Sequence, residues 1–125
     1  MILGTDTPSG TGVMPLGLLK TVAELASLGG LAAADALALA TGNAGRVLEV
    51  DEGVLEPGRP ADLVLLQEPL GGTRADPLAA LAAGDLPGIA GVVVDGSVRV
   101  PRSRNTPAPA REATVTGRSA PRWPR

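Results

Sequence analysis

The stretch "ILGTDTPSGTG", Ile2 to Gly12, runs a few apolar and small residues into Asp6 and then breaks into Pro, Ser and Gly. A carboxylate just past a buried segment, held by a rigid turn, suits proton transfer at the rim of a pocket. It equally suits an ordinary Asp-initiated turn. Ser9 could act as a nucleophile only with a base beside it, and the chain has no histidine to supply one. Gly10-Thr11-Gly12 begins like a phosphate cradle. No third glycine follows at dinucleotide spacing, no Gly-Lys-Ser/Thr follows either, and Asp6 would repel the ligand. Asp51 and Glu52 are adjacent in a turn-like stretch and read as solvated. Asn43 reads as a helix cap, Arg46 as a surface or inter-domain contact, and Asp62 as a tie for the turn before its strand. No two of these residues form a local acid–base pair.

Composition narrows the classes further. The chain has 125 residues, 44% of them hydrophobic, and a single aromatic, Trp123. Its core must therefore be built from Leu, Val and Ala, which bury little area per residue. The absence of cysteine excludes disulfides and thiolate metal sites, and the absence of histidine removes the commonest metal ligand. No apolar run approaches the roughly 20 residues that span a bilayer. Met1 leads into a short apolar stretch instead of a basic leader, so the expected compartment is the cytoplasm, with no membrane partner. Residues 1–100 carry twelve acids and five bases, whereas residues 101–125 carry six arginines and one glutamate. That basic end has no interleaved aromatics and is broken by prolines, so it reads as a disordered tail and not as a nucleic-acid site.

The pattern along the chain predicts the elements that would position Asp6. Ile2–Gly4 reads as the end of a buried strand, followed by a loop over residues 5–15. Lys20, Glu24 and Ser27 fall at i, i+4 and i+7, which predicts a mostly buried helix from Leu16 to Leu28 with one narrow wet stripe. Gly29-Gly30 ends it, and Ala32–Ala40 reads as a second buried helix. A short third helix, capped by Asn43, runs to Leu48. Glu56-Pro57-Gly58-Arg59 carries the type II turn signature between two strands, the second being Ala61–Leu66. Asp76–Ala83 predicts a helix stopped by Gly84, and Gly91–Val100 a hairpin with a type I′ turn at Asp95-Gly96. About four short strands and a few all-apolar helices cannot complete a fold alone. The chain reads as the end of something larger.

Three segments in this order resemble the C-terminal end of the amidohydrolase superfamily: "GTDTPSG" (Gly4–Gly10), "ALALATGNAGRVL" (Ala36–Leu48) and "GVLEPGRPADLVLL" (Gly53–Leu66). The resemblance implies an α/β fold, the C-terminal part of a metal-dependent (β/α)8 barrel plus part of a small composite β-sandwich domain. Residues 1–48 would supply the eighth barrel strand and its following helices, 49–104 part of the small β domain, and 105–125 the disordered basic tail. Four further segments, "DTPSGTGVMPLGLL" (Asp6–Leu19), "EPLGGT" (Glu68–Thr73), "AALAAGDLPGI" (Ala79–Ile89) and "SRNTP" (Ser103–Pro107), resemble one branch of that superfamily. Its members open the cyclic amide 6-oxo-1,4,5,6-tetrahydronicotinate to 2-formylglutarate in nicotinate breakdown. A dihydropyrimidinase-like or imidazolonepropionase-like activity is the alternative within the superfamily.

Carried over residue by residue, the resemblance gives Asp6 the role of metal-site aspartate and proton shuttle. It would take a proton from metal-bound water and return it to the leaving nitrogen. Ser9, Gly10 and Thr11 would line the substrate pocket or serve as simple turn residues. The parent enzyme would hold divalent metals, zinc with a second zinc or iron, and would form a homo-oligomer. Its histidines and bridging lysine would lie in an N-terminal barrel region on the order of 250 residues long, absent from this chain. Met1 then reads as an internal methionine, and the isolated chain is expected to bind no metal and to be inactive. A separately encoded subunit that completes a site on another chain, or a non-catalytic remnant used as a binding module, are the remaining expectations.

Overall fold

The computed structural model describes residues 1–6, 15–69, 71–72, 74 and 76–100. Its elements, in order, are α1 (Gly17–Ser27), α2 (Ala33–Ala40), α3 (Gly42–Leu48), β1 (Leu63–Gln67), α4 (Pro77–Ala82), β2 (Gly88–Val94) and β3 (Ser97–Val100). The loop "TPSGTGVM", with Ser9, Gly10 and Thr11, and the basic tail lie outside the described residues. No helix among the described residues is long and apolar enough to cross a membrane.

The helices form where the apolar spacing predicts. α1 turns Val22, Ala23 and Ala26 inward and leaves Lys20 and Glu24 exposed, as the i, i+4 stripe requires, but Leu16 and Leu18 are exposed too, so its wet face is wider than predicted. Ser27 completes that stripe, with its hydroxyl donating to the Ala23 carbonyl (2.7 Å). α2 buries Ala33, Ala36 and Leu39 but exposes Ala34 and Ala38, so it is half-buried and not enclosed. α4 starts at Pro77, where a missing N–H costs nothing, and the Asp76 carboxylate accepts from the Ala79 N–H (3.0 Å). Leu81 and Ala80 of α4 are fully buried, and α4 packs on both α1 and α2. The core is thus Val22 and Leu81 set among alanines of three helices, with Leu3, Leu25, Leu31 and Leu86 around its edge.

The sheet is antiparallel, in the order β1-β2-β3. Asp95 (φ 49°) and Gly96 (φ 68°) both sit in the left-handed region, which makes the β2–β3 connection the type I′ turn that Asp-Gly predicts. Gly58 (φ 91°) and the Arg59 N–H donating to the Glu56 carbonyl (3.2 Å) likewise give the expected type II turn.

Four expectations are corrected. Ile2–Gly4 forms no strand: among the described residues no strand lies beside it, and the Leu3 N–H donates to the Leu39 carbonyl at the end of α2 (3.0 Å). No strand precedes the type II turn either, since Gly53–Leu55 is irregular and finds no ladder partner among the described residues. Asn43 does not cap α3; the Thr41 carbonyl takes the first helical bond from the Gly45 N–H (2.9 Å), which places Asn43 inside the first turn. The Thr41 hydroxyl turns back to the Leu37 carbonyl (2.9 Å), so α3 has no side-chain cap. Asp62 holds a different turn from the one expected: its Oδ1 accepts from the Asp95 N–H (2.6 Å), across to the hairpin tip.

Truncating the fully buried Leu81 to Ala should cost about 2–5 kcal/mol, since the surrounding alanines have no side chain to refill the space. Leu28, 86% exposed at the end of α1, should tolerate the same change within about 0.5 kcal/mol. Urea denaturation followed by circular dichroism distinguishes the two.

Candidate functional site

Asp6 ends the described N-terminal segment. Leu3 anchors that segment by packing against the helical core and by its backbone bond to α2. Three residues on, Asp6 is exposed, with its backbone at φ 49°. Asp is one of the few residues that tolerate this left-handed conformation, because its short side chain can satisfy nearby backbone groups. The carboxylate is therefore exposed at the end of the described N-terminal segment, with its backbone in the left-handed region. Ser9, Gly10 and Thr11 lie outside the described residues, so the structure brings none of them to Asp6.

A polar concavity lies between α3 and the type II turn. It encloses about 520 Å³ and is lined by Arg46, Glu49, Asp51, Glu52, Glu56 and Arg59, with glycines and valines between them. Arg59 Nε donates to Glu56 Oε2 (2.8 Å), and Arg59 Nη1 lies 3.7 Å from Asp51 Oδ1. Asp51 and Glu52 are exposed as expected, and Arg46 is exposed on α3. Such solvated pairs contribute roughly 0–1 kcal/mol each. The cleft is a charged seam, with no carboxylate removed from water to serve as an acid or base.

The backbone beneath this seam is tightly packed. A Cβ on Gly45 would run into the Glu52 carbonyl oxygen, and one on Gly53 (φ 83°) would come within 2.6 Å of the Thr41 carbonyl oxygen. Together with the Val50 N–H donating to the Gly45 carbonyl (3.0 Å), these approaches fix α3 against the strand-ward segment. The sequence carried the signal only as the two glycines Gly45 and Gly53, with no local pattern pairing them. Arg59 was legible as a turn residue, but its bridge to Asp51 was not.

Three comparisons bear on this geometry. The model of the family described as "Amidohydrolase family" matches residues 1–99. This chain belongs to the amidohydrolase family. It is 44% identical over 115 residues to a curated enamidase from Eubacterium barkeri, covering 92% of this chain and 30% of that protein. The crystal structure of an enamidase, described as a new member of the amidohydrolase superfamily, matches with a TM-score of 0.80 and 44% identity over 88% of this chain and 29% of that one. The mixed helix-and-sheet architecture described above is thus shared with that structure. The amidohydrolase chain spans less than a third of the length of either relative.

Members of the superfamily are generally metal-dependent. The residues of this amidohydrolase chain do not by themselves fit a metal centre. The sequence holds neither histidine nor cysteine, and no three carboxylates cluster among the described residues. Calorimetric titration of the 125-residue chain with zinc should therefore give no saturable binding heat; a single tight site would contradict this reading. Gly53→Ala should destabilise the chain by about 1–3 kcal/mol, because both the left-handed backbone and the Thr41 carbonyl oppose a Cβ. Gly58→Ala, where the space is open, should cost only about 1–2 kcal/mol from the backbone. Thermal unfolding of the two variants compares them.

Proposed function

We propose that this chain is the C-terminal part of an enamidase-like, metal-dependent hydrolase of cyclic amides, and that Asp6 is the carboxylate that handles protons in its site. The observation that carries the reading is the 44% identity to an enamidase over 92% of the chain. The proposed substrate is 6-oxo-1,4,5,6-tetrahydronicotinate. One water opens its ring amide C–N bond to a carboxylate and an enamine; a second water converts the enamine to the aldehyde of 2-formylglutarate with loss of ammonia. The proposed metals are zinc with a second zinc or iron. Their ligands would come from polypeptide corresponding to the part of the relatives that this chain does not span.

Within this reading the chain's own contribution is local. Asp6 accepts a proton as the amide carbon is attacked and returns it to the departing ring nitrogen. A positioned acid–base group of this kind contributes on the order of 10²- to 10⁴-fold in rate. The exposed carboxylate and its left-handed backbone support the role, since strained conformations collect at functional positions. Leu3, pinned to α2, fixes where that carboxylate stands. Ser9, Gly10 and Thr11 are proposed to line the substrate pocket next to it.

The test joins this chain to the non-overlapping remainder of the Eubacterium barkeri enamidase, replacing the matched part of that protein. The fused enzyme should open 6-oxo-1,4,5,6-tetrahydronicotinate, and Asp6→Asn should lower kcat by about 10²- to 10⁴-fold with little change in KM. A variant that keeps full kcat removes Asp6 from the chemistry. Preference for a dihydropyrimidine or an imidazolone ring instead would move the substrate assignment elsewhere in the superfamily. The 125-residue chain alone should show no turnover, and any turnover by it would overturn the assignment of the missing ligands to other polypeptide.

A further inference from the structure

Asp95 is the only aspartate in the chain followed directly by glycine, and neither asparagine is. Such a pair carries a chemistry of its own that needs water and no cofactor. The Gly96 nitrogen attacks the Asp95 side-chain carbon Cγ. An N–C bond forms, and the nitrogen's proton leaves with the carboxyl hydroxyl as water. The five-membered imide then takes up water again, either at Cγ, which restores aspartate, or at the main-chain carbonyl carbon. The second route passes the backbone through the side chain as isoaspartate, with no net change in composition.

Around Gly96 the space is open: a Cβ built there would meet no heavy atom within 4 Å beyond its chain neighbours. The main chain is nevertheless tied down on both sides of Asp95. The Asp95 N–H donates to Asp62 Oδ1 (2.6 Å), and the Gly96 N–H donates to the Ala61 carbonyl (3.1 Å). Ring closure requires the Gly96 nitrogen to lose its proton and the Asp95–Gly96 peptide to rotate towards the side chain. The two bonds oppose both. Ala61 and Asp62 lead directly into β1, which begins with Leu63 paired to Val93, so they keep their places while the strands stay paired. We propose that Asp95–Gly96 is a self-modifying site that rearranges to isoaspartate when this end of β1 lifts, and that Asp62 and Ala61 hold it in the unreacted form. The proposal is independent of the hydrolase reading. Isoaspartate adds one backbone atom to a two-residue turn whose length sets the strand register. The adjoining pair, Val94 with Ser97, is the first that the change would displace.

The experiment stores the full 125-residue chain at neutral pH and follows isoaspartate at position 95 by proteolysis and electron-transfer mass spectrometry, which separates the two isomers. Asp62→Ala should speed its formation about ten- to a hundredfold, the gain in open population expected when a hydrogen bond to a charged acceptor is lost. Asp62→Asn, which keeps an oxygen acceptor, should restore most of the protection. Asp85, exposed but followed by Leu86, should stay unchanged in every sample and serves as the internal reference. Circular dichroism checks that the variants fold. Should Asp62→Ala fail to fold, the unmodified chain supplies a second measurement. Folded, it should form isoaspartate at least about tenfold more slowly than in urea, with its Gly96 amide protected from hydrogen exchange. A folded Asp62→Ala chain that reacts no faster than the unmodified one overturns the proposal, as does an Asp62→Asn chain as reactive as Asp62→Ala. So does an unmodified chain that reacts as fast folded as in urea, a freely exchanging Gly96 amide, or isoaspartate arising equally at Asp85.

Discussion

Everything that has a fixed place in the helical half depends on one contact layer, the burial of Leu81 and Val22 among small side chains. Alanines at 23, 26, 33 and 36 let α1, α2 and α4 approach closely, and the two larger residues fill what space remains. The economy has a cost. Alanine buries little surface, so the hydrophobic gain per residue is low. The layer holds because α4, from the second half of the chain, closes over helices from the first. Through Leu3 and its bond to the end of α2, the same layer fixes the segment that ends in Asp6.

The charged seam and the glycine packing beneath it link that layer to the sheet. Gly45 and Gly53 let backbone meet backbone, so the connection resists bending where a side chain would have pried it open. Arg59 spans the turn and the segment before it, holding Glu56 closely and Asp51 loosely. Being solvated, these pairs orient the surface more than they stabilise it. The rigid part of the junction is therefore its backbone.

What was legible in the sequence was local. Asp95-Gly96 and Pro57-Gly58 announce their turns because the required backbone angles are properties of those residue types. Asp76 before Pro77 announces a helix start for the same reason. Ile2–Gly4 misled because extended chain becomes strand only beside another strand, and its neighbour here is a helix end. Asn43 misled because a good cap residue sits two positions past Thr41, whose carbonyl had already begun the helix. The bond from Asp62 to the Asp95 backbone joins positions 33 residues apart, and no local pattern encodes it. The family was legible from motif order, which the match over residues 1–99 supports. The candidate site was legible only as Asp6 and its loop.

The bond from Asp95 to Asp62 also ties a contact local in sequence to a distant one. The β2–β3 hairpin closes through a two-residue turn, an event of about 1–10 µs. Asp62 and the Ala61 carbonyl hold the backbone of that turn from across the intervening residues, which include all of α4. Closing so long a loop is entropically opposed until the strand pairs that reward it have formed. The hairpin is thus held by contacts local in sequence, and Asp62 is a clasp that depends on the long-range pairing of β1 with β2.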